Sequence, residues 1–317
     1  MSFPSLSIHR STATPTRLIG RLAAEMVFHV FITTQRTFPA AFGSAAAFDR
    51  IALFLTVLRH ADLPLAPAEA RPLGVAAMAA SMGMPFETAR RHVLTLIDHG
   101  LCNRVKGGIT LAPTLFDRRG SVALIRELHD VMVAQIDDLR GFDVPMPAPR
   151  REAGYRPGDT LTGLLDTSLA LLDRNREVYG SALSAIVANA IIIANVRSIT
   201  YDPVLARRYG RMDTIPPDHL REPIRSASLA RTLGMSYSTV AREIGRLAKC
   251  GLVTATRHGL VIRQAQLAHT MLSDNNRAAL VRAVQLVQRL KMGGFPFEAP
   301  GNAYLSGRPQ RIDFDGK

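Results

Sequence analysis

Residues 223–262 read PIRSASLARTLGMSYSTVAREIGRLAKCGLVTATRHGLVI, and residues 72–111 read PLGVAAMAASMGMPFETARRHVLTLIDHGLCNRVKGGITL. Slid by 151 positions, the earlier stretch falls on the later without a gap, and 11 of the 40 positions are identical. Such self-similarity marks an internal duplication, so the fold is sought in the repeated unit. In each copy a short helix has its inner face at Ala76, Ala79 and Met82, or at Ala227, Ala230 and Leu233. Gly83 or Gly234 ends it, because glycine tolerates the positive φ of a tight turn. A second helix follows at once, opened by Pro85 in copy one and capped by Ser236 in copy two. Its inner face falls at helical spacing on Ala89, Val93, Leu96 and Ile97, matched by Val240, Ile244, Leu247 and Ala248. Gly100-Leu101 and Gly251-Leu252 stop that helix, and two β-prone runs around a glycine turn come next in each copy.

The duplication extends outward. Phe42-Gly-Ser-Ala and Tyr179-Gly-Ser-Ala each open a helical stretch, here 137 residues apart, so copy two carries a 14-residue insertion, placed in the loop 201–220. Amphipathic helices are expected after each motif, around 121–139 and 276–291. Prolines 145, 147, 149 and 157 make 141–159 a linker. Helix, tight turn, helix and β-hairpin is the order of a winged helix-turn-helix. The expected fold is therefore mainly α, with two tandem winged helix-turn-helix units and additional flanking helices forming a covalent pseudo-dimer. Its parts are a flexible arm (1–15), a first unit (16–140), the linker, a second unit (160–292) and a loose, Gly- and Pro-rich tail (293–317).

The run Ser236–Leu247, followed by Gly251-Leu252, resembles the recognition-helix region of bacterial winged-helix transcription regulators of the cyclic-AMP-receptor and IclR types. The shared features are Thr239-Val240, the arginine two residues on, Leu247 and the Gly-Leu. The resemblance covers two blocks of about 40 residues, and no cyclic-nucleotide barrel accompanies it, so those families' effectors are not carried over. It implies that the second helix enters the major groove. It also places base-reading residues at Phe86, Glu87 and Arg91, and at Tyr237, Ser238 and Arg242. Arg91 and Arg242 suit bidentate contact to guanine, and Glu87 suits cytosine N4. Phe86 departs from the usual polar residue and has an alternative role capping the motif's own core. Thr88, Thr239, Arg90 and Arg246 are expected on phosphates. Arg104, Lys106, Arg257, His258 and Arg263 are expected in wings near the minor groove or backbone.

Charge points the same way. The chain of 317 residues carries 39 Lys+Arg against 26 Asp+Glu, net +13, which favours a polyanionic partner. Residues 71–120 hold seven basic and three acidic side chains, and 221–263 hold eight and two, whereas 121–220 hold eleven and thirteen. The excess is thus concentrated in the two motifs, where phosphate would be met.

Other chemistries find little support. Two cysteines, Cys102 and Cys250, exclude a disulfide scaffold, and no Cys/His spacing resembles a zinc site. Packed free thiols are expected, with Cys250 beside Lys249 the more reactive. The nine histidines are scattered, Asp137-Asp138 reads as a solvated helix face, and no phosphate-binding glycine motif is present. Ser44 and Ser181 lack the G-x-S-x-G setting of a nucleophile. Residues 1–36, with Glu25 as their one acid, have a transit-peptide-like composition, but the expected structure is an arm running into a helix. The uncharged run 180–196 is short for a membrane span and suits a buried helix.

The expected function is sequence-specific binding of double-stranded DNA in transcription regulation, in the cytoplasm, without catalysis, cofactor or membrane. A homodimer and a small-molecule effector are further possible partners, served by the apolar helices of 16–62 and 160–200. The alternatives are a plasmid-type replication initiator and a chromosome-partition protein that uses winged helices for protein contacts.

Overall fold

The computed structural model describes residues 14–43, 46–61, 71–148, 154–267 and 270–314. Ser44, most of the expected N-terminal arm and part of the linker lie outside them. The fold is mainly α, with 66% helix. In chain order the helices are α1 (Thr16–Thr37), α2 (Pro39–Phe42), α3 (Ala47–His60), α4 (Val75–Ser81), α5 (Phe86–Asp98), α6 (Arg119–Gly141) and α7 (Pro157–Tyr179). They continue as α8 (Ala182–Tyr201), α9 (Pro203–Arg208), α10 (Ser226–Thr232), α11 (Tyr237–Lys249), α12 (Gln264–Leu267) and α13 (Thr270–Met292). Strands β1 (Cys102–Val105) and β2 (Gly108–Leu111) form one antiparallel hairpin, and β3 (Thr254–Thr256) and β4 (Gly259–Val261) another. The insertion expected as a loop therefore contains α9, which Asp202 caps through the Val204 and Leu205 amides.

The duplication is visible in the packing. By order along the chain, α1 corresponds to α7, α3 to α8 and α6 to α13. α1 packs on α6 as α7 packs on α13, and α1 packs on α13 as α7 packs on α6. Likewise α1 lies against α8 as α7 lies against α3. Exchanging the copies leaves this pattern unchanged, as an approximate two-fold requires. A single apolar core runs through both copies, so the two units are fused rather than separate. Phe42 and Tyr179, the first residues of the matched Gly-Ser-Ala segments, are both buried in it. Gly180 then ends α7 in the left-handed region, and Ser181 caps α8 by accepting from the Ser184 amide at 3.1 Å.

Helix α8 is long and apolar enough to cross a membrane by length and composition, but 78% of its apolar window is buried within the protein. Of the two asparagines in α8, the second has a packing role. Asn195, fully buried, donates to the carbonyls of Glu222 (2.7 Å) and Leu260 (3.1 Å) and accepts from the Ile262 amide (2.9 Å). It ties α8 to the second hairpin and to the segment entering α10. Leucine at this position is expected to destabilise the protein by about 3 kcal/mol, because it removes three hydrogen bonds and leaves the buried Ile262 amide without its acceptor. The urea midpoint measures this, and an unchanged midpoint would show the clamp to be inert.

The tail expected to be loose is ordered over 293–314. Phe295, Phe297, Ala303, Ile312 and Phe314 are buried, and Phe314 stacks on Phe28 of α1 at 5.5 Å. Asp137 and Asp138, expected to be solvated, hold this tail: Arg308 pairs with both and Arg311 with Asp138. The Arg311 guanidinium also lies 3.5 Å from the Tyr201 ring centroid on α8.

Deeper still, His129 Nδ1 lies 2.8 Å from Asp130 Oδ1, and its Nε2 meets the Tyr155 hydroxyl, which reaches Thr160 at the start of α7. Both Asp130 oxygens accept tail amides, from Leu305 and Ser306 at 2.8 Å. Burial holds the His129 imidazole below its ordinary value against the opposing pull of Asp130, and burial does the same to His92. Lowered folded-state values mean that the unfolded chain binds protons first. Stability should be full above about pH 6.5, the ordinary imidazole value, and be lost as pH falls through the lowered ones. Urea midpoints at pH 7.5, 6 and 5 should decline in that order, with a shallower decline in His129→Gln; an identical decline there would clear His129.

Candidate nucleic-acid interface

Each motif is assembled by the same local rules. Gly83 and Gly234 turn at φ 57° and 58°, letting the Met84 and Met235 amides reach back to Ala79 and Ala230. Just before each first helix, one residue bridges to the hairpin: Leu73 to Ile109, and Ile224 to Leu260. That bridge explains the matched Gly108 and Gly259. A Cβ there would lie 2.2 Å from the Leu73 carbonyl oxygen or 2.6 Å from that of Ile224. The inner face of the first helix differs from the expected one. Ala76 and Ala227 are exposed, and Met78 and Leu229 are buried with Ala79, Met82, Ala230 and Leu233. The larger side chains take the interior because they remove more apolar surface from water. Ala248 is likewise exposed, while Val240, Ile244 and Leu247 are buried.

The opposite faces of α5 and α11 are open. Phe86 and Tyr237 start the two helices and are 48% and 60% exposed, so Phe86 does not cap the motif's core. Further along α5, Arg91 is exposed, and its guanidinium makes no hydrogen bond or ion pair among the described residues. Its counterpart Arg242 is 69% exposed and only 4.0 Å from Glu243. Glu87 and Arg90 are exposed and pair with each other at 3.2 Å, a contact of small energetic weight. Thr88 and Thr239 are half-buried, and Ser238 is exposed; the Thr239 hydroxyl accepts from Ser236, the α11 cap.

Arg246 departs from expectation. Its guanidinium reaches the Tyr179 carbonyl at the end of α7 and Glu243 at 3.3 Å, so it joins α11 to the core while its side chain stays 40% exposed. Glu243 in turn accepts from Ser184 on α8 at 2.7 Å. In the hairpins Arg104, Lys106, Arg257 and His258 are exposed, as is Arg263 just beyond, and Arg257 Nε donates to His258 Nε2 at 2.8 Å. Cys102 is buried, its thiol pushed up to about 12 by burial, whereas Cys250 is exposed rather than packed. Among the described residues no cluster of three or more His, Cys, Asp or Glu side chains could hold a metal ion.

Neither Asn195 nor the inward role of Arg246 was read from the sequence. The only available signal was polar residues in an apolar run and a basic residue three positions after Glu243. Compared with protein-family models, with curated proteins and with solved structures, the chain matches none.

Proposed function

We propose that the protein is a sequence-specific double-stranded DNA-binding regulator in which two winged helix-turn-helix units share one fused core. In this reading α5 and α11 are the recognition helices and the two hairpins are wings. The observation that carries it is the matched open face: Phe86 with Arg91, and Tyr237 with Arg242, are exposed at equivalent positions of α5 and α11. Exposed arginine with an aromatic neighbour suits base edges and sugar, and the basic hairpins suit phosphate. Glu87 against Ser238 and Arg90 against Ala241 make the two faces unequal, so the two half-sites should differ in sequence. In this reading the two recognition helices of one chain enter successive major grooves, about 10 bp apart.

The test is selection and sequencing of bound random and genomic duplexes at two salt concentrations. A bipartite motif with unlike halves is expected, and its genomic position distinguishes a promoter regulator from an origin-binding initiator. Absence of binding at low salt would overturn the reading.

A further inference from the structure

Between α1 of the first copy and α7, α8 and α13 of the second lies a cavity of about 90 Å³. Its walls are largely apolar, with Val27, Leu171, Ile192 and Val196 among them. Two polar residues in the lining have unmet donors. Arg21 spends Nη1 on the Tyr209 carbonyl at 3.0 Å, but its Nε and Nη2 are shut off from solvent without a partner. The buried Asn189 has an unpartnered Nδ2. Unmet buried donors are costly, and a guanidinium edge made of Nε and Nη2 matches the two oxygens of a carboxylate. Burial and the nearby guanidinium groups of Arg17 and Arg221 push Arg21 down to about 10.

We infer that this cavity is an effector site for a short-chain organic carboxylate, its oxygens taken by Arg21 with Asn189 alongside and its tail among the apolar walls. The effector role rests on the DNA-binding reading; the binding itself does not. An engineered 150 Å³ cavity holds the six carbons of benzene, so about 90 Å³ encloses roughly four non-hydrogen atoms, the carboxylate and first tail carbon of propionate or butyrate, with the rest of the tail at the cavity mouth. The route outward is short. Tyr179 lines the cavity, and its carbonyl accepts from Arg246 on α11. Occupancy at this wall therefore bears on the second recognition helix directly and reaches the first only through the shared core.

Sodium propionate and butyrate, titrated at constant ionic strength against sodium chloride and butyramide, provide the probe, with melting temperature and calorimetry as readouts. A saturable rise in melting temperature is expected for the two carboxylates only. It should weaken at least tenfold in Arg21→Met and vanish in Ala24→Leu, which fills the cavity and leaves every buried polar group in place. No saturable effect up to about 50 mM, or equal binding by a folded Ala24→Leu protein, would overturn the site. With butyrate bound, affinity for the half-site read by α11 should change at least fivefold; an unchanged affinity would overturn the effector role. A protein that binds butyrate but no DNA would overturn the regulatory reading and leave the binding site standing.

Discussion

Replacing Arg91 and Arg242 together by alanine should lower affinity for the selected DNA between about 30-fold and 10⁴-fold. The estimate takes about 1–3 kcal/mol for each bidentate arginine–guanine contact and a factor of ten for each 1.4 kcal/mol. Both side chains are exposed, and neither is needed for the core, so the melting temperature should hold. The single variants separate the two faces. Arg91→Ala should relax preference at one half of the motif, and Arg242→Ala at the other. If each variant instead weakens binding equally for all sequences and reduces the salt slope, the arginines contact phosphate and sequence is read elsewhere. Arg246→Ala is a useful contrast. Its guanidinium serves the Tyr179 carbonyl and Glu243, so its loss should lower stability before it alters specificity.

A chain ending at residue 292 should fail to fold. The segment beyond it supplies Phe295, Phe297 and Phe314 to the core, each at 6% exposure or less, and removing one buried phenylalanine side chain costs about 3–5 kcal/mol. Losing all three rivals the whole stability of a typical domain, about 5–15 kcal/mol. The truncation also uncovers Phe28, takes two amide donors from Asp130 and removes the arginines that pair with Asp137 and Asp138. Insoluble expression is the expected result, and Phe314→Ala alone should lower unfolding free energy by about 3 kcal/mol. A soluble 1–292 protein with an unchanged melting temperature would show that the tail is only laid over a self-sufficient core.

How far the sequence could be read depends on the range of the interactions involved. The turns at Gly83 and Gly234, the helix stops at Gly100 and Gly251 and the hairpins at 102–111 and 254–261 all follow from contacts within a few residues. The duplication shows each of them twice. The exposed face of α5 and α11 was legible for the same reason: once the buried stripe at Val93 and Leu96, or Ile244 and Leu247, is fixed, helical geometry puts Arg91 and Arg242 on the other side.

The sequence by itself determined the mainly helical fold, the repeated helix–turn–helix–hairpin and the concentration of positive charge on it. Only the tertiary structure decided what the remaining polar and glycine-rich segments do. Composition made the tail look loose because Gly and Pro govern local backbone freedom. Order there depends instead on whether its phenylalanines meet an apolar surface, and that surface is built by α1 and its neighbours far away in the chain. Asp138 and Arg308 stand 170 residues apart, and Tyr179 and Arg246 stand 67 apart. No periodicity encodes such pairs, because they exist only once segments far apart in the chain have packed on one shared core.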